Sequence, residues 1–277
     1  MVGIVLTGGS ILAYGTPEQQ AAHLRGILEA EHVWCQLFSE PGAGSDLASL
    51  TTRAEQDGDH WVVTGQKVWC SNGRVADRGI LLARTDPDAP RHAGISFFLV
   101  DMTLPGIDVR PLRQMTGGSE FDEVFLDQVR LPADALLGPL HGGWGVAMAT
   151  LTNERGYIGS AGISLARRLD AIASLEGADD AVTRDRLAEL VTRGRALQAM
   201  GQRQGPVASV AASLAKLGVT ELMFDAALLE ADLAGADAML AGGSSARVLG
   251  APGGRIAGGT TQVQKNIIGE RLLGLPK

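Results

Sequence analysis

The chain has little cysteine, few aromatic residues and no excess of basic charge. Its 277 residues include two cysteines, Cys35 and Cys70, which are too few for a disulfide framework or a zinc site, and this usage is typical of the reducing cytoplasm. Acidic residues outnumber basic ones, 31 to 24, and no dense block of Lys and Arg occurs. We therefore expect a cytoplasmic protein that binds neither nucleic acid nor an anionic membrane surface.

Long hydrophobic runs are also missing. The apolar residues at the start of the chain are interrupted by Gly3 and Gly8, well short of the ~20 residues that a membrane span needs. No targeting or spanning segment is visible. The five histidines, at positions 23, 32, 60, 92 and 141, are scattered without the spacing of metal ligands, so no metal site is predicted.

The sequence does contain enough apolar residues, 45% of the total, to bury a large core. Its patterns divide it into three predicted zones, residues 1–33, 34–138 and 139–277. The middle zone has short β-rich runs separated by turn residues, and the last zone has apolar residues at helical spacing. The predicted fold class is therefore α+β, with a middle antiparallel β-barrel or sandwich followed by an α-helical bundle.

Individual elements can be placed by their start signals and spacing. Thr16 precedes a first-turn proline, which predicts a short helix over residues 16–30. Hairpin tips are predicted at residues 57–59 (DGD) and 64–66 (TGQ). In the last helix we expect Thr261 and Gln264 to form a capping box. The predicted strands cover residues 61–64, 68–70, 80–83, 95–100 and 124–126.

A segment of small residues, 38–46 (FSEPGAGSD), lies between a predicted strand and the rest of the β zone. Small residues allow a ligand to approach the backbone closely, and hydroxyl groups supply donors that can be oriented. Taken alone, the segment is more typical of a surface turn than of a ligand loop, because it carries no GxGxxG or Walker pattern.

A second segment, residues 65–73 (GQKVWCSNG), places an aromatic plane beside a hydroxyl. Trp69 and Ser71 are two residues apart and hence on the same face of a strand. This pair suits a stacked ring system that carries a hydrogen-bonding nitrogen. Taken in isolation, however, a tryptophan at this position is more often packed in the core than stacked on a ligand.

Together, four ordered motifs resemble the acyl-CoA dehydrogenase family of flavoproteins, including actinobacterial lipid- and steroid-degrading members. The motifs are residues 36–46 (QLFSEPGAGSD), 65–73 (GQKVWCSNG), 153–155 (NER) and 258–264 (GGTTQVQ). The resemblance implies a helical N-terminal domain, a middle β-barrel and a C-terminal helical bundle, with FAD between barrel and bundle. Residues 1–33 would then be a remnant of the N-terminal helical domain.

The resemblance also implies which residues contact the flavin ring of FAD. Phe38 and Ser39 would face the ring, Trp69 would stack on it, and Ser71 would donate a hydrogen bond to the edge that carries N5. These implied contacts give both small-residue and aromatic segments a common ligand.

Other implied contacts involve the substrate and the phosphate end of the cofactor. Ser45 would lie near the flavin and the thioester arm of the substrate, and Arg155 matches a position that contacts the CoA portion in relatives. Thr260 and Gln262 would approach the phosphate and ribityl part of FAD. That last assignment agrees with the preference of helix N-termini for anions.

The implied reaction is α,β-dehydrogenation of an acyl-CoA thioester, in which a carboxylate removes the α-proton and a hydride passes to flavin N5. In much of the family the base is a glutamate just before the Gly-Thr of the tail motif, where this chain has Gly258. In a minority the carboxylate comes from the helix that opens the bundle, at the position of Glu154. The resemblance therefore implies Glu154 as the base and the Gly258 N–H as a donor to the thioester oxygen. Without the resemblance, Glu154 would be interpreted as a solvated residue near a helix start.

The implied partners are an acyl-CoA substrate and an electron acceptor such as electron-transfer flavoprotein. Residues 169–186 lack the arginine and Phe-Gly motif with which relatives grip the adenylate of a neighbouring subunit's FAD. A homo-oligomer and a hetero-oligomer with another acyl-CoA dehydrogenase subunit are both open on this basis. Two other functions also remain open: a truncated or non-catalytic scaffold subunit, and an acyl-CoA oxidase, which differs in the access of oxygen to reduced flavin.

Overall fold

The computed structural model describes residues 1–159, 162–201, 207 and 210–276, and the side chains of residues 155–159 and 201 lie outside that description. The chain forms two compact units, Met1–Asn153 and Glu154–Lys277. The three-zone division by sequence therefore stays a prediction, and the two units are described one at a time.

The first unit opens with short helical segments: a π-helix (Val2–Gly8), helix α1 (Gly9–Tyr14) and helix α2 (Pro17–Leu28). The predicted α2 is confirmed, and Thr16 caps it. The Thr16 hydroxyl accepts from the Gln19 N–H at 3.2 Å, while the Thr16 N–H donates to the Gln19 side chain at 3.1 Å. Because the Gln19 amide also donates to the carbonyls of Asp134 and Leu136, the cap ties α2 to the chain that follows the sheet.

Seven strands form a single sheet in this unit, within the described residues. The α+β fold class is confirmed. Most neighbours pair antiparallel, but β4 pairs parallel with both β1 and β2, which the sequence patterns did not predict. The strand order is β1-β4-β2-β3-β7-β6, with β5 also on β4. The strands are β1 (Trp34–Leu37), β2 (Arg53–Asp57), β3 (His60–Ser71), β4 (Arg78–Arg84), β5 (Ile95–Asp101), β6 (Ile107–Leu112) and β7 (Phe121–Pro132).

The core of the first unit lies on both faces of the sheet. Along β4, Ile80 and Leu82 belong to one buried cluster, whereas Leu81 belongs to a second. Since side chains alternate between the two faces of a strand, β4 is covered on both sides, which accounts for its continuous apolar run. Cys35 and Cys70 are free and buried, and burial raises the pKa of both thiols.

One predicted hairpin tip is correct and the other is wrong. Gly58, with φ of 62°, links β2 to β3 in the predicted turn. Residues 64–66 instead lie inside β3, which pairs with β7 on both sides of them. A register shift occurs between Val63 and Gly65, and a Cβ atom at Gly65 would come within 2.4 Å of the Thr52 hydroxyl oxygen. The glycine therefore marks a close approach of two backbones rather than a turn.

The helical part of the chain comprises six helices in the described ranges: α3 (Gly143–Gly159), α4 (Gly162–Ala173), α5 (Ala181–Gly201), α6 (Ala211–Ala234), α7 (Gly243–Ile256) and α8 (Thr261–Leu273). In the second unit, α4, α5 and α6 share a buried cluster that includes Leu169, Leu190 and Leu222. None of the described helices combines the length and apolar character needed to span a bilayer.

The predicted capping box of α8 is wrong by one residue. The N-cap is Thr260, whose hydroxyl accepts from the Val263 N–H at 3.2 Å. Gln264 does not complete the box, since its amide donates to the carbonyl of Gly258 at 2.8 Å. The glycine pair that precedes the N-cap, Gly258 and Gly259, allows this tight turn, because both residues have positive φ.

Candidate active site

Trp69 lies in a β-bulge of the first unit and has an exposed indole. The register of β3 on β7 shifts between Lys67 and Cys70, and Trp69 adopts φ of 63°, a left-handed conformation that is rare for an aromatic residue. The residue is 58% exposed and meets Phe121 edge to face at 6.0 Å between ring centroids. Strained residues of this kind cluster at functional sites because the surrounding structure must hold them.

Burial alternates along the three residues from Trp69 to Ser71. Cys70 is buried, whereas Trp69 and Ser71 on either side of it are exposed or partly exposed. This alternation is expected when the outer two side chains share one face of a strand. The bulge leaves an aromatic plane and a hydroxyl close in sequence on an uncovered part of the first unit.

The small-residue segment lies against β3 at the bulge. The carbonyl of Ser39 accepts from the Val68 N–H at 2.9 Å, which brings Ser39 beside Trp69 along the chain. Phe38 points its ring into the core against Phe97, with 5.6 Å between ring centroids, so Phe38 offers only its backbone to a ligand. Ser45 is exposed at the far end of the same segment.

A buried ion pair, which the sequence motifs did not reveal, fastens this segment to the sheet. Lys67 is fully buried, and its ammonium donates to the Glu40 carboxylate at 2.8 Å and to the Phe38 carbonyl at 3.0 Å. Glu40 also accepts from the Thr51 N–H at 2.7 Å and the Thr52 N–H at 2.9 Å. All of the carboxylate's neighbours are therefore donors.

The pKa values follow from this arrangement. Burial alone would raise the pKa of Glu40, but the Lys67 charge and the surrounding donors outweigh burial and lower the pKa to about 2. Burial lowers the pKa of Lys67, and the charge of Glu40 opposes that change. For Glu40 the partner charge and the donors outweigh burial, whereas for Lys67 burial outweighs the partner charge. The hydrogen bond of 2.8 Å between the two side chains supports the pair as ionised at neutral pH.

In the second unit, the turn before α8 is built from two glycines in left-handed conformations. Gly258 has φ of 66° and Gly259 has φ of 98°. Thr260 caps the helix, and Gln262 is exposed on its first turn. N–H groups at the start of a helix are suited to anions and to developing negative charge.

A buried lysine connects this turn to Glu154. Lys216, on α6, is fully buried and donates to the carbonyls of Gly259 at 2.6 Å and Arg255 at 3.1 Å. Its ammonium also interacts electrostatically with the carboxylates of Glu154 and Glu221. Burial lowers the pKa of Lys216, and these two carboxylates oppose the change. Glu154 and the tail turn thus share one cationic neighbour.

The structure therefore brings the predicted site residues together in two groups, one in each unit. Phe38, Ser39, Trp69 and Ser71 lie around the bulge of β3, and Glu154 shares Lys216 with the Gly258–Thr260 turn. Ser45 and Gln262 lie at exposed ends of their segments. The Arg155 side chain falls outside the described residues, so its predicted contact with CoA stays a prediction.

Each of the two groups, taken by itself, has chemistry that suits one part of FAD. In the first unit, an exposed indole and a nearby hydroxyl suit a planar ring with hydrogen-bonding edges; in the second, the start of a helix suits phosphate oxygens. The open positions of Gly42 and Gly44, where an added Cβ would meet no atom within 4 Å, leave room for a ligand beside the segment.

Comparison with known domains gives two matches that cover most of the chain. Residues 35–129 match the acyl-CoA dehydrogenase middle domain, and residues 141–273 match the acyl-CoA dehydrogenase C-terminal domain.

Curated relatives extend these matches. The chain is 41% identical over 278 residues to acyl-CoA dehydrogenase FadE34 of Mycobacterium tuberculosis, which covers 97% of this chain and 39% of FadE34. It is 40% identical over 290 residues to acyl-CoA dehydrogenase IpdE1 of the same organism, which covers 99% of this chain and 75% of IpdE1. The chain thus spans well under half of FadE34 and three quarters of IpdE1.

Solved structures share the fold over the whole chain. The Tcur3481-Tcur3483 steroid ACAD matches with a TM-score of 0.91 and 28% identity, covering 100% of this chain and 77% of that one. The ChsE4-ChsE5 complex from Mycobacterium tuberculosis matches with a TM-score of 0.86 and 29% identity, again with coverage of 100% and 77%.

Proposed function

Because this chain belongs to the acyl-CoA dehydrogenase family, we propose that it catalyses FAD-dependent α,β-dehydrogenation of an acyl-CoA thioester. The observation that carries the proposal is a shared cationic partner: Lys216 interacts electrostatically with the Glu154 carboxylate, and its ammonium donates to the Gly259 carbonyl at 2.6 Å. Through Lys216 a carboxylate is thus linked to the tail turn, even though the turn itself has Gly258 in place of an acidic residue.

In the proposed reaction Glu154 takes the proton from the α-carbon of the thioester. FAD, when bound, supplies the acceptor for the hydride that leaves the β-carbon, so that the product is an enoyl-CoA. The Gly258 N–H donates to the thioester oxygen, where negative charge develops as the α-proton leaves. Arg155 binds the CoA portion, and electron-transfer flavoprotein or a similar acceptor removes the electrons.

The remaining residues hold and orient the cofactor in this proposal. Trp69 would hold the ring by stacking, Ser71 would donate to its edge, and the Phe38 and Ser39 backbone would border it. Thr260 and Gln262 bind the phosphate and ribityl part at the start of α8, and Ser45 lies by the thioester arm of the substrate. Since both cysteines are free and buried, we place this chemistry in the cytoplasm.

Anaerobic titration of the purified, FAD-loaded chain tests the proposal. A saturated straight-chain acyl-CoA and an acyl-CoA that carries a steroid ring system would be added separately, and flavin absorbance would be followed. Bleaching by either thioester, with enoyl-CoA formed in equal amount, is the expected result. Bound flavin that no acyl-CoA reduces would instead indicate a scaffold subunit, and peroxide released in air would indicate an oxidase.

A second, different acyl-CoA dehydrogenase subunit is the partner we propose. Residues 169–186 lack the adenylate-gripping motif named above, and the names of two structural neighbours each pair two gene products. Native mass spectrometry of the chain expressed alone and together with a second acyl-CoA dehydrogenase subunit tests this assembly. Full flavin occupancy in the chain alone would favour the homo-oligomer.

Replacement of Trp69 should weaken the retention of FAD. Loss of an aromatic stacking pair costs about 0.5–1.5 kcal/mol beyond lost burial, which raises the dissociation constant about two- to twelve-fold. Equilibrium dialysis of wild type, Trp69→Ala and Trp69→Phe would measure the effect, with Phe retaining part of the affinity. Trp69→Gly serves as a control for folding, because glycine relieves the positive φ and should not lower stability. Unchanged affinity in the Ala variant would contradict stacking.

A further inference from the structure

Lys216 is a fully buried lysine, and specific partners must offset the desolvation of its ammonium group. A buried ammonium is strongly unfavourable unless hydrogen bonds and opposite charges surround it. Lys216 has both, since it donates to the carbonyls of Arg255 and Gly259 and interacts with the carboxylates of Glu154 and Glu221. Such partners could be found at any contact between helices. For Lys216 they include the Gly259 carbonyl of the tail turn.

Gln264 holds the same turn from a second direction. It is fully buried, and its amide donates to the Gly258 carbonyl at 2.8 Å. A Cβ atom at Gly259 would lie 2.6 Å from that amide nitrogen, so a side chain there would displace it. Two adjacent carbonyls, those of Gly258 and Gly259, are thus each held by a buried side chain.

Because the peptide bond is planar, these two contacts also restrict the directions in which N–H groups of the tail turn can point. In a trans peptide the carbonyl of one residue and the N–H of the next point in opposite directions. When Gln264 and Lys216 hold the carbonyls of Gly258 and Gly259, the N–H groups of Gly259 and Thr260 must point away from these buried side chains. The two contacts therefore fix the directions of the Gly259 and Thr260 N–H groups within the turn.

We propose that Lys216 is a positioning residue that, with Gln264, fixes the amide donors of Gly259 and Thr260 in the Gly258–Thr260 turn and presents a positive charge to Glu154. This inference rests on the proposed function for its catalytic consequence, but its structural content does not depend on turnover. Lys216 acts through the turn and through Glu154, with Gln264 as its uncharged counterpart.

The charged surroundings of Lys216 define what its removal should change. Glu154 on α3 and Glu221 on α6 are the carboxylates that interact with it, and Arg255 on α7 pairs with Glu221. From α8, the neutral Gln264 faces the turn, while Lys265 is exposed. The ion pairs of α4 and α5 with α6 involve Glu230 and Asp225, more than two helical turns further along α6.

The test compares Lys216→Met, Lys216→Gln and Gln264→Met, with the exposed Lys265→Met as matched control. In the FAD-loaded full chain, ¹³C-labelled glutamate reports the titration of Glu154, assigned through Glu154→Gln, and ¹⁵N spectra report the amides of Gly258, Gly259 and Thr260. Both readouts are independent of turnover.

We expect Lys216→Met to move the Glu154 titration to higher pH and to shift the glycine amide signals. Lys216→Gln should move the titration but retain more of the amide positions, because it keeps a donor without the charge. Gln264→Met should shift the amides and leave the titration in place. In wild type that bleaches with acyl-CoA, the acid limb of the rate profile should move up by about one pH unit in Lys216→Met.

Other outcomes separate the two proposals. An unchanged Glu154 titration together with unchanged amide signals in Lys216→Met would overturn the role of Lys216, whether or not the wild type turns over. If the wild type never bleaches while the titration and amides shift as expected, the dehydrogenase function fails and the positioning role stands. If Lys216→Met does not fold, the folded Lys216→Gln decides through its titration.

Discussion

Replacement of Glu154 by glutamine should leave FAD bound and abolish its bleaching by acyl-CoA. The amide has nearly the shape of the carboxylate but cannot accept the α-proton, and loss of a general base lowers rates by about 10²- to 10⁴-fold. Glu154 shares the buried Lys216 with the Gly258–Gly259 turn, so the substitution removes a negative charge from one defined place. Stopped-flow absorbance under anaerobic conditions measures the loss directly.

Controls make this result specific to the carboxylate of Glu154. Glu154→Asp keeps the charge on a shorter side chain and should recover part of the rate. Glu189→Gln removes an exposed carboxylate on α5 and should leave the rate within a few-fold of wild type. Bleaching at the wild-type rate in Glu154→Gln would remove this residue from the mechanism and require a base from elsewhere in the assembly.

Much of the fold could be predicted because local signals agreed with the final packing. Thr16 and the proline after it marked α2, and the apolar run of β4 marked a strand covered on both faces. The failures have a common physical origin in backbone geometry. Gly65 has a turn signature, yet it is in a strand because the Thr52 backbone passes too close for a side chain. Strand β2 consists mostly of polar and charged residues and buries only Ala54, so it lacks the alternation of apolar and polar residues that predicts a strand.

The sequence motifs named candidate residues and the chemistry expected of them, but they did not show which side chains surround those residues in the folded chain. The motifs named Trp69 and Glu154, whereas the two lysines that organise their surroundings were missed. Both had a signal in the sequence. Lys67 falls in the buried phase of β3, in register with Trp61 and Val63, and Lys216 falls on the buried stripe of α6 with Ser213 and Val219. A charged residue in a buried phase requires partners, and those partners are distant in sequence, so only the folded chain reveals them.

Removal of one member of the Lys67–Glu40 pair should cause the largest loss of stability. Lys67→Met strands a buried carboxylate, and breaking one side of a buried pair typically costs about 3–5 kcal/mol. The exposed pair of Arg25 and Glu29 supplies the control, since Glu29→Gln should cost less than about 1 kcal/mol. Denaturant unfolding at neutral pH measures both, and a loss below about 1 kcal/mol in Lys67→Met would contradict a tightly coupled pair.

Acid should reveal the same pair without mutation of the lysine. The folded-state pKa of Glu40 is lowered from its ordinary 4.5 to about 2, so its contribution to stability is present above pH 4.5 and is lost as the pH falls toward 2. The lost contribution is about 3 kcal/mol. Glu40→Gln should therefore be less stable than wild type at pH 7, and the difference should shrink between pH 4.5 and 2. Because the pair holds the Phe38 carbonyl against β3, FAD retention should weaken over the same range.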